Sequence, residues 1–443
     1  MAAMRLLTRP KPGRRLPDNS AIRRRAAEEN SNCIGNLFEL TLKYPALTKQ
    51  PVSYPLMFEL IINAEVHAPR SLGIRNLLVC AGKIVYLGDR VPQLDDSLSV
   101  QISDLDGARL IPGFIDAHAH ITGGGGEAGP STRVPPLHLS QFTQAGVTSV
   151  VGLLGTDDLT RNTQTLLTQV MGLREEGLSA WCYTGGYHLP ATTLTQSVRS
   201  DIVNLEPVIG VGEVAISDHR SSQPTRDEIL RLASEAHVAG LMTGKAGIVH
   251  FHLGDGERGL SLIRDCLEQS EIPARVFNPT HVNRNKALFE EACELTASGC
   301  TVDLTAFPAD NIDSGWSAEN AVARYFDKGC DPQKLTISSD GGGCMPSFDA
   351  QGELLSMEFA KSSAMAITFK AMLDMDLPMD RILPLMTGNV ADLLKFHGKG
   401  RIDTGFDADL LVLDDSHGIQ SVMANGAWHI KNGEQLIYGL FDE

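Results

Sequence analysis

The chain has 443 residues, 42% of them hydrophobic and 21% charged, the balance of a globular protein with room for more than one core. Its formal net charge of −16 excludes a general nucleic-acid binder, because no basic excess exists to displace counterions from phosphates. No run of about 18 apolar residues occurs, so no membrane-spanning helix is expected.

Residues 1–25 carry eight arginines and lysines against the single acid Asp18. Arginine-rich, acid-poor starts occur in organelle transit peptides, but Pro10-Lys-Pro-Gly13 would interrupt an amphipathic helix. Residues 1–55 are therefore expected to be a disordered, non-catalytic extension. The eight cysteines are scattered without CxxC pairs, which suits buried thiols in a reducing compartment. A cytoplasmic location is the expectation, with organelle targeting as the alternative.

From Phe58 the pattern changes to short β-rich runs separated by turns, Phe58–Asn63 and Asn76–Tyr86. Similar runs return at Ala408–Asp414 and Ile419–His429. The two ends, 56–110 and 391–443, are expected to pair as one small discontinuous β domain. Between them, 111–390 alternates strand candidates with helical stretches. The strands are Leu110–His118, Val147–Leu154, Ala180–Thr184, Val208–Glu213, Ile248–His252, Arg275–His281, Cys300–Leu304 and Leu335–Asp340. The helical stretches include Arg226–Ala239, Gly259–Gln269 and Lys286–Ala297. Eight such alternations have the count and span of an α/β fold of the (β/α)8 type, a TIM-like barrel.

The strongest local signal is Asp116-Ala-His118-Ala-His120. Two histidines at i and i+2 on a strand face the same way, so both imidazoles can reach one metal ion. Glu213, His252, His281 and Asp340 stand at the ends of the fourth, fifth, sixth and eighth predicted strands. In a barrel those ends converge on one rim, where active sites are built. Each alone is weak; their common rim makes the set persuasive. His250 shares a face with His252, which is the expected ligand because it is nearer the strand end. His250 is then a supporting or core residue.

This arrangement resembles the amidohydrolase superfamily, and within it the isoaspartyl (β-aspartyl) dipeptidases. The resemblance covers about residues 58–443. It is carried by Gly123-Gly-Gly-Gly-Glu127-Ala-Gly-Pro130, Leu153-Leu-Gly-Thr156-Asp157, Thr184-Gly-Gly-Tyr187-His188, Ala215-Ile-Ser-Asp-His-Arg220, Phe251-His252-Leu-Gly-Asp255, Pro279-Thr-His281-Val-Asn-Arg284 and Ser338-Ser-Asp340-Gly341. It implies two divalent metal ions, usually zinc, sharing a bridging carboxylate and holding a hydroxide between them. His118 and His120 would hold one metal with Asp340, and His252 and His281 the other. Asp340 would also take the proton of the attacking water and return it to the leaving amine. The implied substrate is a small dipeptide, with one ammonium and two carboxylates around the scissile amide. Glu127 would meet the ammonium, Arg220 and Arg284 the carboxylates, and Tyr187 the developing oxyanion. Thr156 would line the pocket, and the assembly would be a homo-oligomer.

Two departures from the family pattern stand out. The family's usual bridging ligand on the fourth strand is a carbamylated lysine, where this chain has Glu213. Its substrate-contacting serine after the eighth strand is matched by Cys344, a weaker hydrogen-bond partner. The same chemistry on N-acyl amino acids or cyclic amides is the nearest alternative, and a metal-free scaffold the more distant one.

Overall fold

The computed structural model describes residues 58–307, 314–349 and 354–442. The expected extension over 1–55 lies outside the described residues. Strands β1 (Phe58–His67), β2 (Ser71–Cys80), β3 (Lys83–Gly88), β4 (Val100–Asp104) and β5 (Arg109–Pro112) come first. The barrel strands follow: β6 (Phe114–Ala119), β7 (Val147–Gly152), β8 (Ser179–Thr184), β9 (Val208–Ile216), β10 (Val249–Leu253), β11 (Phe277–Thr280), β12 (Val302–Thr305) and β13 (Leu335–Ser338). A hairpin, β14 (Cys344–Phe348) and β15 (Leu354–Phe359), leaves the rim after β13. The chain then returns through β16 (Leu410–Leu413), β17 (Ile419–Ala424), β18 (Ala427–Lys431) and β19 (Glu434–Gln435).

Strands β6 to β11 form one parallel sheet in sequence order, and β12 pairs with β13. The curve closes where Asp340 N donates to His118 O at 3.0 Å and His120 N to Gly341 O at 2.8 Å. Between β11 and β12 the backbone pairing thins, and side chains take over. Asp303 accepts hydrogen bonds from Thr280, Thr336 and Ser338, tying β11, β12 and β13 together. The result is a TIM-like barrel with additional β-sheets. Its strands are buried on both faces, hence their nearly continuous apolar sequence. The helices between them start at side-chain caps. The Arg226–Thr243 helix has a Thr225/Glu228 capping box and stops at left-handed Gly244, a turn later than the sequence pattern suggested.

The additional sheet takes strands from both sides of the barrel, in the order β19-β18-β17-β16-β5-β1-β2-β3 with β4 beside β1. Two expectations are corrected here. The single strand Leu110–His118 is two strands in different sheets, β5 and β6, divided at Gly113. A Cβ added there would lie 2.2 Å from Thr148 Oγ1, so the crossing uses a glycine. The run Ile419–His429 is a hairpin, because Asn425 and Gly426 both adopt positive φ, as a tight two-residue turn requires. Among the described residues no helix is long and apolar enough to cross a membrane.

Lys399 ties the additional sheet to the bottom of the barrel. Its Nζ lies 2.6 Å from Asp409 and 3.0 Å from Asp407, and donates to Ser179 Oγ at the start of β8 at 2.7 Å. The lysine and Asp409 are both buried. Lys399→Met would leave the buried Asp409 carboxylate without its cation and is expected to cost about 3–5 kcal/mol. Denaturant unfolding at neutral pH measures this, and an unchanged midpoint would contradict it.

Candidate active site

The C-terminal ends of the barrel strands bring together six of the expected residues. Strand β6 delivers His118 and, just past its end, His120. Glu213 comes from β9 and His252 from β10, His281 directly follows β11, and Asp340 lies two residues past β13. All six are buried. Glu213 stands at the centre of the histidines. Its Oε1 lies 3.2 Å from His120 Nε2, and its Oε2 lies 3.1, 3.4 and 3.6 Å from His252 Nδ1, His281 Nε2 and His118 Nε2. Asp340 Oδ1 is 3.3 Å from His118 Nε2 and 3.2 Å from His120 Nε2.

Glu213 does not end its strand as expected, since β9 continues to Ile216. The pairing explains its position. Val249↔Val211 is followed by Phe251↔Val214, so β9 carries one extra residue between these pairs, and Gly212 and Glu213 occupy the irregularity. Such bulges re-aim a side chain. Glycines bring the strands close: a Cβ on Gly210 would lie 2.7 Å from Ile248 O, and one on Gly212 2.8 Å from His250 Cβ. His281 and Asp340 leave their strands with φ of 59° and 55°, a conformation that non-glycine residues adopt at a cost.

Two ligand groups meet the geometry for a metal ion, His118–His120–Asp340 and His118–Glu213–His281. His252 stands apart from both, because its ring also meets Asp218 Oδ2 at 3.0 Å and the Tyr187 hydroxyl at 2.8 Å. Among the described residues His118 Nε2, Glu213 Oε1 and Asp340 Oδ1 are buried yet complete no hydrogen bond. Buried polar atoms are normally satisfied, so three that converge fit a cation better than a finished network. Imidazole nitrogens with carboxylate oxygens suit zinc or a similar divalent ion.

The charge state agrees. Burial alone would raise the Glu213 and Asp340 carboxyls, but the surrounding histidines outweigh it and hold both well below the carboxylate range. Burial would lower His120, but the Asp340 and Glu213 carboxylates beside it push it up to about 10. A field that draws protons onto His120 also draws metal ions, which compete with protons for the same lone pairs.

At the outer side of the cluster lie the residues expected to meet substrate. Arg220 donates Nε and Nη2 to Asp218 at 3.0 and 2.7 Å, and its Nη1 lies 3.6 Å from Glu127. The Cys344 thiol donates to Glu127 Oε1 at 3.0 Å, and burial, reinforced by Glu127, keeps that thiol protonated. Tyr187 is buried beneath the Arg220 guanidinium, 5.5 Å from its ring centre, and burial pushes its hydroxyl well above the ordinary value. Thr156 is half-buried beside Gly155, where an added Cβ would come 2.6 Å from His120 Cε1. Arg284 is further out. Asp255 holds it through Nε and Nη2 at 3.0 and 2.9 Å, and the Leu253 carbonyl accepts from Nη1 at 2.6 Å.

Sequence reasoning missed Asp218 and Asp255 as partners of the two arginines, although both lie inside the matched motifs. A carboxylate two residues before Arg220 was the available signal. It also missed Asp116, which accepts hydrogen bonds from Ser339 N and Oγ beside Asp340.

The Amidohydrolase family profile matches residues 109–429. The chain belongs to the amidohydrolase family. It is accordingly a hydrolase, and the resemblance to β-aspartyl dipeptidases seen in its motifs holds. A crystal structure of the β-aspartyl dipeptidase of Fervidobacterium islandicum AW-1, in complex with β-Asp-Leu, is 40% identical with a TM-score of 0.82. That match covers 86% of this chain and 98% of the other. A deacetylase of Agrobacterium fabrum is 22% identical over 357 residues, 75% of this chain and 76% of its own. The D-hydantoinase of a Thermus species shares the fold at 15% identity and a TM-score of 0.62, over 86% of this chain and 97% of its own.

Glu213→Gln keeps the side chain's size and removes the charge that faces four imidazoles. The zinc affinity of metal-stripped protein is expected to fall by at least about tenfold, read by competition with a chromophoric chelator. Unchanged affinity would contradict a ligand role.

Proposed function

We propose that this amidohydrolase cleaves β-aspartyl dipeptides. The observation that carries the reading is the charge pattern beside the ligand cluster: Glu127 against Arg220, with Arg284 further along the rim. That order of anion, cation and cation complements a substrate with one ammonium and two carboxylates. Arg220 Nη1 and Glu127 Oε1 stand 3.6 Å apart, side by side at the outer edge of the cluster. The α-ammonium and α-carboxylate of a β-linked aspartyl group could insert there, each meeting its opposite charge. In an α-linked aspartyl peptide that carboxylate is itself the amide, and Arg220 would have no substrate carboxylate to meet. Arg284, already aligned by Asp255, would take the carboxylate of the second residue. Arginine suits both places because its five N–H donors leave some for a substrate carboxylate after Asp218 or Asp255 has engaged Nε and Nη2.

His118, His120 and Asp340 would hold one divalent ion, His252 and His281 a second, with Glu213 between them. Bound there, such ions would lower the pKa of a coordinated water towards neutrality and polarise the scissile carbonyl. Every other task falls to the protein. The Asp340 carboxylate, ionised and lacking a hydrogen bond at Oδ1, would take a proton from the attacking water and pass it to the leaving amine. Tyr187 stays protonated at neutral pH, so its hydroxyl can donate to the oxyanion as the tetrahedral centre forms. His252 would have to trade its contact with Asp218 or Tyr187 for a metal bond. Cys344, hydrogen-bonded to Glu127, would orient that carboxylate towards the ammonium.

Zinc-replete protein is expected to hydrolyse β-Asp-Leu at least about tenfold faster than α-Asp-Leu, judged by kcat/KM, since the α-isomer offers Arg220 no α-carboxylate. Equal rates on the two isomers, or faster turnover of N-acetyl amino acids, would refute the proposal.

A further inference from the structure

His250 is fully buried on β10, two residues before His252. Its Nε2 lies 2.8 Å from His118 Nδ1, and its Nδ1 lies 2.6 Å from Asn278 Oδ1. Asn278 closes the chain by donating Nδ2 to the carbonyl of Thr301 at 2.8 Å. The direction of every hydrogen in this line follows from its far end. A backbone carbonyl can only accept, so the amide atom facing Thr301 is nitrogen and the one facing His250 is oxygen. That oxygen also only accepts, so the proton of His250 sits on Nδ1. A neutral imidazole carries one N–H, which leaves Nε2 of His250 as an acceptor. His118 must therefore donate from Nδ1, and its lone pair lies on Nε2. Nε2 is the atom that faces Glu213 and Asp340 and completes no hydrogen bond.

We propose that His250 and Asn278 are positioning residues which, anchored on the Thr301 carbonyl, lock His118 in the tautomer that offers Nε2 to a divalent cation. The proposal rests on the metal reading above and adds to it. Packing holds the relay in line. The Tyr183 ring stacks on His250 at 5.2 Å with an interplanar angle of 21°, and Gly212 leaves no space on the side of its Cβ. The three strands β6, β10 and β11 thus each contribute one side chain to a line that runs across the barrel interior, beneath the ligand cluster. A ligand histidine whose other nitrogen is held by a fixed acceptor loses no free energy to tautomer exchange when it binds metal.

The test is zinc affinity of metal-stripped protein, by chelator competition, with the melting temperature of each apo-variant measured alongside. His250→Phe fills the volume but cannot accept from His118. It is expected to weaken zinc binding about 10- to 100-fold. His250→Gln can accept through Oε1 and is expected to stay within about threefold of wild type. Asn278→Leu keeps both imidazoles but frees the tautomer, and should weaken binding as well, which preserves the test if His250→Phe does not fold. A zinc-binding wild type whose His250→Phe form binds equally well would overturn this proposal alone. So would a glutamine variant that loses as much as the phenylalanine. Wild-type protein that takes up no zinc would overturn the metal reading and this proposal together.

Discussion

The carboxylate of Glu213 must reach imidazoles delivered by three other strands, and much of the local geometry follows from that requirement. Glutamate is shorter by two methylenes and a nitrogen than the carbamylated lysine usual at this place in the family. Its oxygens nevertheless lie 3.1–3.6 Å from four histidine nitrogens. The extra residue in β9 turns the side chain inward, and Gly210 and Gly212 let β9 close on β10 where any side chain would collide. Left-handed His281 and Asp340 bend the chain towards the same point from the neighbouring strands. Each of these features is unfavourable taken alone. Together they converge on one carboxylate in a dry interior.

Burying two ionised carboxylates in the middle of a barrel is costly unless positive charge compensates them. In the protein alone, His120 supplies part of that charge by holding its proton. Metal ions would replace that proton and satisfy the orphaned atoms at once. The outer half of the site repeats the logic with fixed charges. Asp218 and Asp255 hold the two arginines by their forks and so align the cations. Asp218 touches Arg220 and His252 both, which links the substrate end to the ligand cluster through a single carboxylate.

Much of this was legible in the chain. Strands buried on both faces read as apolar runs, so the barrel could be counted, and the i, i+2 histidines of β6 could be placed together because strand periodicity puts them on one face. What stayed hidden depends on tertiary neighbours. Nothing in Val211-Gly-Glu-Val214 reveals that one residue is extra, because a bulge is a property of two strands. The break at Gly113 reads as continuous strand, because only Thr148 makes a glycine necessary there. The hairpin at Asn425-Gly426 was available from its turn residues and was passed over for the apolar pattern around it. His250 reads from sequence as a supporting or core residue, and only Asn278 and Thr301 give its hydrogens a direction.

The central claim is that Glu213 itself completes the metal site, with no carbamate needed. A glutamate is a carboxylate at neutral pH without further chemistry, whereas a carbamate must first be made from carbon dioxide. The direct measurement is reconstitution of metal-stripped protein with zinc in buffer freed of bicarbonate, followed by metal counting and assay on β-Asp-Leu. Two zinc ions per active chain, with activity indifferent to added bicarbonate, is the predicted result. Activity that rises only when bicarbonate is supplied, or full activity with one ion per chain, would contradict it.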